Sequence, residues 1–184
     1  MKNQAKYTDV IYHEVQRLRQ VWLWVSVLFI TGLMWYTVIM QLLFHTPVGT
    51  KPMSDPQAFV FWLIFGLGFP ILFFNAKLET VVLGDGILVR FFPFLPRTKK
   101  VAFTELKSCE AKTYRPLLEY GGWGIRLGAK GWAYNTSGRE GVELQLRDGR
   151  ILLIGSQRSE ELYQAIQSEI DRTERQGSID QGAS

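Results

Sequence analysis

Cysteine and histidine are almost missing from this chain of 184 residues, which contains only Cys109, His13 and His45. A single cysteine excludes an intrachain disulfide. One cysteine and two histidines exclude a zinc cluster made from these residue types. We find no nucleophile with a nearby base and no paired carboxylates in the sequence. The sequence therefore predicts a protein with no catalytic, metal or cofactor site, and it identifies no small-molecule substrate.

Asp, Glu, Lys, Arg and His are all absent from the run of 24 residues Val21–Phe44. A helix of that length, at roughly 1.5 Å per residue, reaches about 36 Å and crosses a ~30 Å hydrocarbon core. The second run, Ala58–Asn75, is just long enough to span. Pro70 removes the hydrogen bond to the carbonyl of Gly66 and predicts a kink. These runs predict a transmembrane hairpin over residues 21–75, and its lack of charge argues against an ion-coupled transporter.

Lysine and arginine are scarce between the two runs and frequent outside them. Four precede the first run, one lies in the connector, and five follow over residues 77–100. The positive-inside rule predicts that both termini are cytoplasmic and that the protein resides in the cytoplasmic (inner) membrane.

Residues 1–20 show apolar side chains at helical spacing, including Ile11, Val15 and Leu18. This pattern predicts a cytoplasmic helix that leads into the first span. The alternative is an amphipathic helix lying on the lipid surface.

From residue 76 the hydrophobic period changes to two, which predicts a mainly β domain over residues 76–175. Short turns follow the strands at Gly84–Gly86 and at Asp148-Gly149, where we expect a type I′ turn. After Gly155 the spacing of Leu162, Ile166 and Ile170 predicts a C-terminal amphipathic helix that covers the β core. The polar tail 176–184 is expected to be disordered.

Charge is distributed unevenly within the predicted β domain. Residues 76–130 contain ten Lys/Arg and five Asp/Glu, whereas residues 131–184 contain six and nine. A basic half suits an anionic lipid surface. The candidate contacts are Lys99, Lys100, Lys107, Lys112 and Arg126. Lysines that protect a strand edge from pairing are an equally good interpretation. The net charge of +4 is too small to indicate nucleic-acid binding.

Three glycines surround a tryptophan in the segment Gly121–Arg126, GGWGIR. They permit close approach of a ligand to the backbone, with Arg126 available for an anion. A glycine-bent strand, with Trp123 packed inward and Arg126 at the rim, is the favoured interpretation.

The second half of the chain contains the motifs YGGWGIR (Tyr120–Arg126), GWAYNTSGREGVEL (Gly131–Leu144), the DGR turn and IGSQRSEEL (Ile154–Leu162). Together they resemble an uncharacterised family of bacterial membrane proteins. The resemblance implies two transmembrane helices followed by a PH-like (pleckstrin-homology-like) β-barrel or sandwich capped by a C-terminal helix. It implies no reaction.

Two functions are compatible with this architecture. The first is a membrane protein whose cytoplasmic PH-like domain binds membrane lipids or a protein partner. The second is an accessory or scaffold subunit that contacts its partners through the transmembrane helices.

Overall fold

A computed structural model describes residues 10–128 and 131–182. The chain forms two compact units. Residues 18–76 form a helical unit, and the residues before and after this stretch together form a β unit.

The helical unit contains two apolar helical segments. The first consists of α1 (Val21–Val38) and a π-helical turn (Ile39–Leu43). The second consists of α2 (Asp55–Phe61), a π-helical turn (Trp62–Gly68) and α3 (Phe69–Asn75). Both segments are long and apolar enough to cross a membrane.

The distortion expected at Pro70 is present as the π-helical turn that ends at Gly68. Pro70 cannot donate a hydrogen bond to the carbonyl of Gly66, four residues earlier. The indole N–H of Trp35 on α1 donates to this carbonyl at 3.2 Å. The hydroxyl of Thr31 donates to the neighbouring carbonyl of Phe65 at 3.3 Å. Side chains of one helical segment thus satisfy backbone groups released in the other, as an apolar environment requires.

The described residues of the β unit form nine strands in two sheets. They are β1 (Val10–Arg17), β2 (Lys77–Leu83), β3 (Gly86–Phe92), β4 (Leu95–Ala102), β5 (Leu106–Thr113), β6 (Gly124–Gly128), β7 (Gly131–Asn135), β8 (Glu140–Leu146) and β9 (Ile151–Gly155). Sheet 1 is the antiparallel meander β1-β2-β3-β4. Sheet 2 has the order β5-β8-β9-β7-β6 and includes one parallel pair, β7 with β9. The described strands close no barrel, so the barrel form of the expected fold is not observed.

The predicted helix in residues 1–20 is wrong where the structure describes the chain, because residues 10–17 form the edge strand β1. The side chains of Tyr12, Glu14 and Gln16 are buried, whereas Ile11 and Val15, which suggested the helix, are exposed. The buried side chains alternate along the strand and are mostly polar, so hydrophobic periodicity misassigns them. Residues 1–9 lie outside the described residues. The β unit consequently begins before the apolar runs and not at residue 76.

The hairpin of β8 and β9 confirms the expected alternation, since Val142, Leu144 and Leu146 are buried. The type I′ turn is wrong. In this turn only Gly149 has positive φ (+86°), and its N–H donates to the carbonyl of Leu146 at 3.0 Å. This geometry needs a single glycine, at the left-handed position.

The C-terminal helix α5 (Ser159–Gly182) confirms the expected helix and packs on β5, β8 and β1. Leu162 and Ile166 are fully buried. The predicted disorder from residue 176 is wrong up to Gly182, because the helix continues. No proline interrupts this stretch, and Gly177, its one glycine before the last residue of the helix, costs only about 1 kcal/mol relative to alanine. Residues 183–184 lie outside the described residues.

Candidate functional site

A five-residue helix, α4 (Pro116–Tyr120), precedes β6. Pro116 occupies its first turn, where the missing N–H costs nothing. The N–H of Gly121 donates to Leu117 O at 3.1 Å and that of Gly122 donates to Pro116 O at 2.9 Å. Gly121 has φ +70°, and its bond to Leu117 O, four residues earlier, is the one that ends a helix in an αL motif.

One face of α4 packs on sheet 2. Tyr120 and Tyr114 are buried with Ala133 and Leu153, and the two tyrosine rings meet edge to face at 5.9 Å. Burial raises the pKa of Tyr114 to about 12. These contacts hold the short helix rigidly on the sheet.

The opposite face of α4 is apolar and open to solvent. Leu117 is 65% exposed and Leu118 is 78% exposed. Adjacent bulky side chains with this exposure are unusual on a surface that contacts water alone. Together with their neighbours they line an open pocket of about 410 Å³, which we call the α4 surface: Arg115, Pro116, Leu117, Leu118, Trp123 and Arg139.

Hydrogen bonds fix the Trp123 wall of the α4 surface. Its indole N–H donates to Gly138 O at 3.1 Å. The N–H of Gly124 donates to the Asn135 side-chain oxygen at 2.8 Å, and Nε of Arg126 donates to Trp123 O at 3.1 Å. The first two glycines of GGWGIR end α4, and Trp123 is half-buried and lines the pocket. The structure therefore differs from the favoured interpretation in the packing of Trp123, whereas Arg126 is exposed as expected. The approach of a ligand to these glycines stays a prediction.

The electrostatics of the α4 surface are set by two arginines. Arg115 and Arg139 are exposed, and neither guanidinium pairs with a carboxylate within the described part of the chain. The carboxylate of Glu119 is engaged locally, because it accepts the backbone N–H of Arg115 at 2.7 Å. Two cations thus flank an exposed apolar pair.

The candidate anionic-surface contacts are distributed over three strands. Lys99 and Lys100 are consecutive on β4 and point to opposite faces, Lys107 and Lys112 lie near the two ends of β5, and Arg126 is on β6. Lys100 pairs with Asp85 and Lys112 with Glu143. Lys99 lies 5.6 Å from the Tyr134 ring, and burial together with Arg150 lowers its pKa. The structure does not bring the five together as one patch.

A buried polar network joins β1 to the loop before α5. The Glu14 carboxylate accepts hydrogen bonds from Tyr12 (2.8 Å), from the Ser156 hydroxyl (2.7 Å) and from the Gln157 N–H (3.0 Å). Gln16 donates to Gly155 O at 2.7 Å. Burial raises the pKa of Tyr12 to about 12. The donors converge on Glu14 from inside the protein, so the network stabilises the fold.

Sequence reasoning missed α4 because five residues are too few for a hydrophobic period. The signal that identifies it is the proline at residue 116 followed by the glycine at residue 121, which bracket a short helix.

These features define a class: a protein with two helical segments apolar enough to cross a membrane and a two-sheet β unit with an exposed apolar–cationic surface. Residues 3–172 match the family of unknown function DUF6141, and the chain belongs to that family. No curated protein and no solved structure shows a significant match.

Proposed function

We propose that this chain is an integral protein of the cytoplasmic membrane whose PH-like β unit binds a protein partner and carries out no reaction of its own. The observation that carries the proposal is the α4 surface, where exposed Leu117 and Leu118 line a pocket together with Arg115 and Arg139, which form no ion pair with any described residue.

The membrane part of the proposal rests on both helical segments and on the strand pairing. β1 precedes the first segment, and β2, its antiparallel partner, follows the second. If both segments cross the membrane, the pairing requires both flanks on the same side. The lysine and arginine distribution favours the cytoplasm for that side.

The PH-like assignment is supported by two sheets followed by a C-terminal helix that covers the core with Leu162 and Ile166. The parallel pair of β7 and β9 and the absence of closure among the described strands are departures from a simple barrel. The assignment therefore concerns the general architecture and carries no lipid site with it.

The occupant that best fits the α4 surface is a protein segment with apolar side chains flanked by carboxylates. Tryptophan and arginine are the residue types that dominate binding energy in protein interfaces. Arginine pairs carboxylates in bidentate geometry. An anionic lipid surface fits less well, because exposed Glu140 directly follows Arg139.

The test is site-specific photo-crosslinking in native membranes with benzoylphenylalanine at Leu118. We expect an adduct with a protein that contributes an acidic and apolar segment, and we expect Arg139→Glu to abolish it. The same label at the exposed Gln164 of α5 is the matched control and should give none. A lipid adduct alone, no adduct, or one insensitive to Arg139→Glu would contradict the proposal.

The second candidate is a scaffold subunit that contacts partners through the membrane helices. The observation that favours it is the π-helical turn in each helical segment, a feature frequent at functional sites. Crosslinkers at the exposed Leu28 and Ile64 separate the two candidates. Protein adducts at these positions and none at Leu118 would select the scaffold.

A further inference from the structure

One end of sheet 1 carries both connections to the helical unit, and the strands β1, β2 and β3 all have a terminus there. In the strand register Arg17 pairs with Lys77, and Lys77 pairs with Phe92. Arg17 is followed after three residues by α1, and α3 is separated from Lys77 by one residue. We call this the junction end of sheet 1. The turn between β3 and β4 lies at the same end.

The turn at the junction end is apolar. It reads Phe92-Pro93-Phe94-Leu95, and Phe94 is 47% exposed although its ring contacts that of Phe91 at a centroid distance of 5.6 Å. Turns exposed to water are normally built from glycine and small polar residues. The turn at the opposite end of the sheet, Gly84-Asp85, follows that rule.

Cations lie at the same end of the sheet as this apolar turn. Lys77, the first residue of β2, is opposite Phe92, and Arg17, the last residue of β1, is opposite Lys77. Arg97 is exposed two residues beyond Leu95. The guanidinium of Arg90 lies 5.6 Å from the centre of the Phe92 ring. The nearest acidic residue along β2, Glu79, is engaged by His13 at 3.1 Å. The combination of an aromatic tip with a cationic rim complements the membrane interface, where aromatic rings lie at headgroup level and cations meet anionic lipid.

We propose that the β3–β4 turn is an interfacial anchor, with Phe94 among the lipid headgroups and Arg97 and Lys77 paired with anionic lipid phosphates. This contact goes beyond the proposed function, because it uses the other sheet and a lipid rather than a protein. It follows from chain connectivity: if the flanking helical segments cross the membrane, residues 17 and 77 are at its surface and the turn lies beside them in the register.

The test uses the full-length protein in phosphatidylethanolamine–phosphatidylglycerol vesicles, with Cys109→Ser to remove the native thiol. Phe94→Cys and Arg97→Cys are each labelled with the environment-sensitive fluorophore NBD. We expect blue-shifted emission and loss of intensity with headgroup- and 5-doxyl-labelled lipids. Asp85→Cys, in the turn at the opposite end, is the matched control and should show water-like emission without quenching.

Two further comparisons test the same contact, one independently of the Phe94 substitution and one through its dependence on lipid charge. Arg97→Cys replaces an exposed side chain, so it reports on the turn even where Phe94→Cys disturbs the contact with Phe91. Replacing phosphatidylglycerol by zwitterionic phosphatidylcholine should reduce the quenching at residue 94, where Arg97 and Lys77 are both retained, because the cationic rim then loses the net charge of its phosphate partners. Water-like, unquenched emission at both positions, or equal quenching at Asp85→Cys, would overturn the proposal.

Discussion

Strand β1 should be indispensable to the β unit, although the chain separates it from β2 by the whole helical unit. Arg17 and Lys77 are directly opposite each other in an antiparallel pair. Two residues of type Asn-Gly close such a pair with the twist that antiparallel strands require. We therefore predict that residues 10–17, Asn-Gly and residues 77–182, fused in this order, form a soluble and cooperatively folded protein. Residues 77–182 alone should be strongly destabilised.

The magnitude follows from what β1 buries. Its side-chain contacts set the scale of the effect. Burial of the Tyr12 ring contributes about 2 kcal/mol. Pairs across the strands such as Gln16 with Leu78 add about 0.2–1 kcal/mol each. These side-chain contacts are a substantial fraction of the roughly 5–15 kcal/mol that stabilises a typical domain, so we expect the unfolding free energy of residues 77–182 to lie clearly below that of the fusion.

The assay is urea unfolding of both proteins followed by far-UV circular dichroism. A sharper comparison within the fusion uses Glu14. Glu14→Ala removes the acceptor of the Ser156 hydroxyl and the Gln157 N–H, and each buried group left unpaired costs about 1–3 kcal/mol. Glu14→Gln retains the shape and one acceptor oxygen, so it should cost less. Equal unfolding free energies for the fusion and for residues 77–182, or for Glu14→Ala and the parent fusion, would refute the role assigned to β1.

The remaining predictions use the same fusion protein. Gly149→Val should lower the unfolding free energy by more than about 1 kcal/mol, because φ at this residue is +86°. No atom lies within 4 Å of an added Cβ, so backbone strain is the only cause. Gly149→Asn is the control, and equal urea midpoints for the two variants would argue against the turn. Ile166→Ala should lower the unfolding free energy by about 2–5 kcal/mol through a cavity, and an unchanged urea midpoint would place this helix face outside the core. Burial raises the pKa of Cys109 to about 11, so iodoacetamide should react slowly at neutral pH until urea unfolds the protein, and rapid native labelling would contradict this. Burial raises the pKa of Tyr12 and of Tyr114 from 10.0 to about 12, so the stability that these neutral tyrosines contribute is complete below pH 10 and is lost as the pH rises to 12. The double variant Tyr12→Phe, Tyr114→Phe should show a smaller loss of unfolding free energy over this pH range in urea titrations. An unchanged loss would exclude the two tyrosines as its cause.

Much of the β unit could be predicted from local sequence. Burial of one face imposes a two-residue hydrophobic period on the hairpin around Asp148-Gly149 and a helical period on α5. Both elements are present. β1 could not be found in this way, because its inward positions are Tyr12, Glu14 and Gln16 and its outward positions include Ile11 and Val15. What buries these polar groups is a set of partners more than 100 residues away, such as Ser156 and Gly155.

The α4 surface illustrates a second limit of sequence reasoning. The sequence singled out the segment Gly121–Arg126 because of its glycines, and in the structure Gly121 and Gly122 end α4. The exposed leucines of α4 could not be predicted, because a five-residue helix is too short to show a hydrophobic period. The candidate site therefore lies next to the motif and uses Trp123 from it. Arg139 reaches the pocket only through the fold, since it precedes β8 by one residue and is 16 residues from Trp123.

The order of elements also constrains how the protein is assembled. The helical unit is an insertion between two neighbouring strands of sheet 1, and the network around Glu14 cannot form until residues 155–157 are synthesised. β1 therefore stays unpaired while both apolar segments are synthesised. An edge strand with exposed aliphatic side chains is prone to wrong pairing during such a wait. The polar inward face of β1 reduces this hazard, because Glu14 and Gln16 are well solvated until their partners appear. Glu14 and Gln16, which prevent β1 from being recognised by its hydrophobic pattern, thus suit a strand that pairs late.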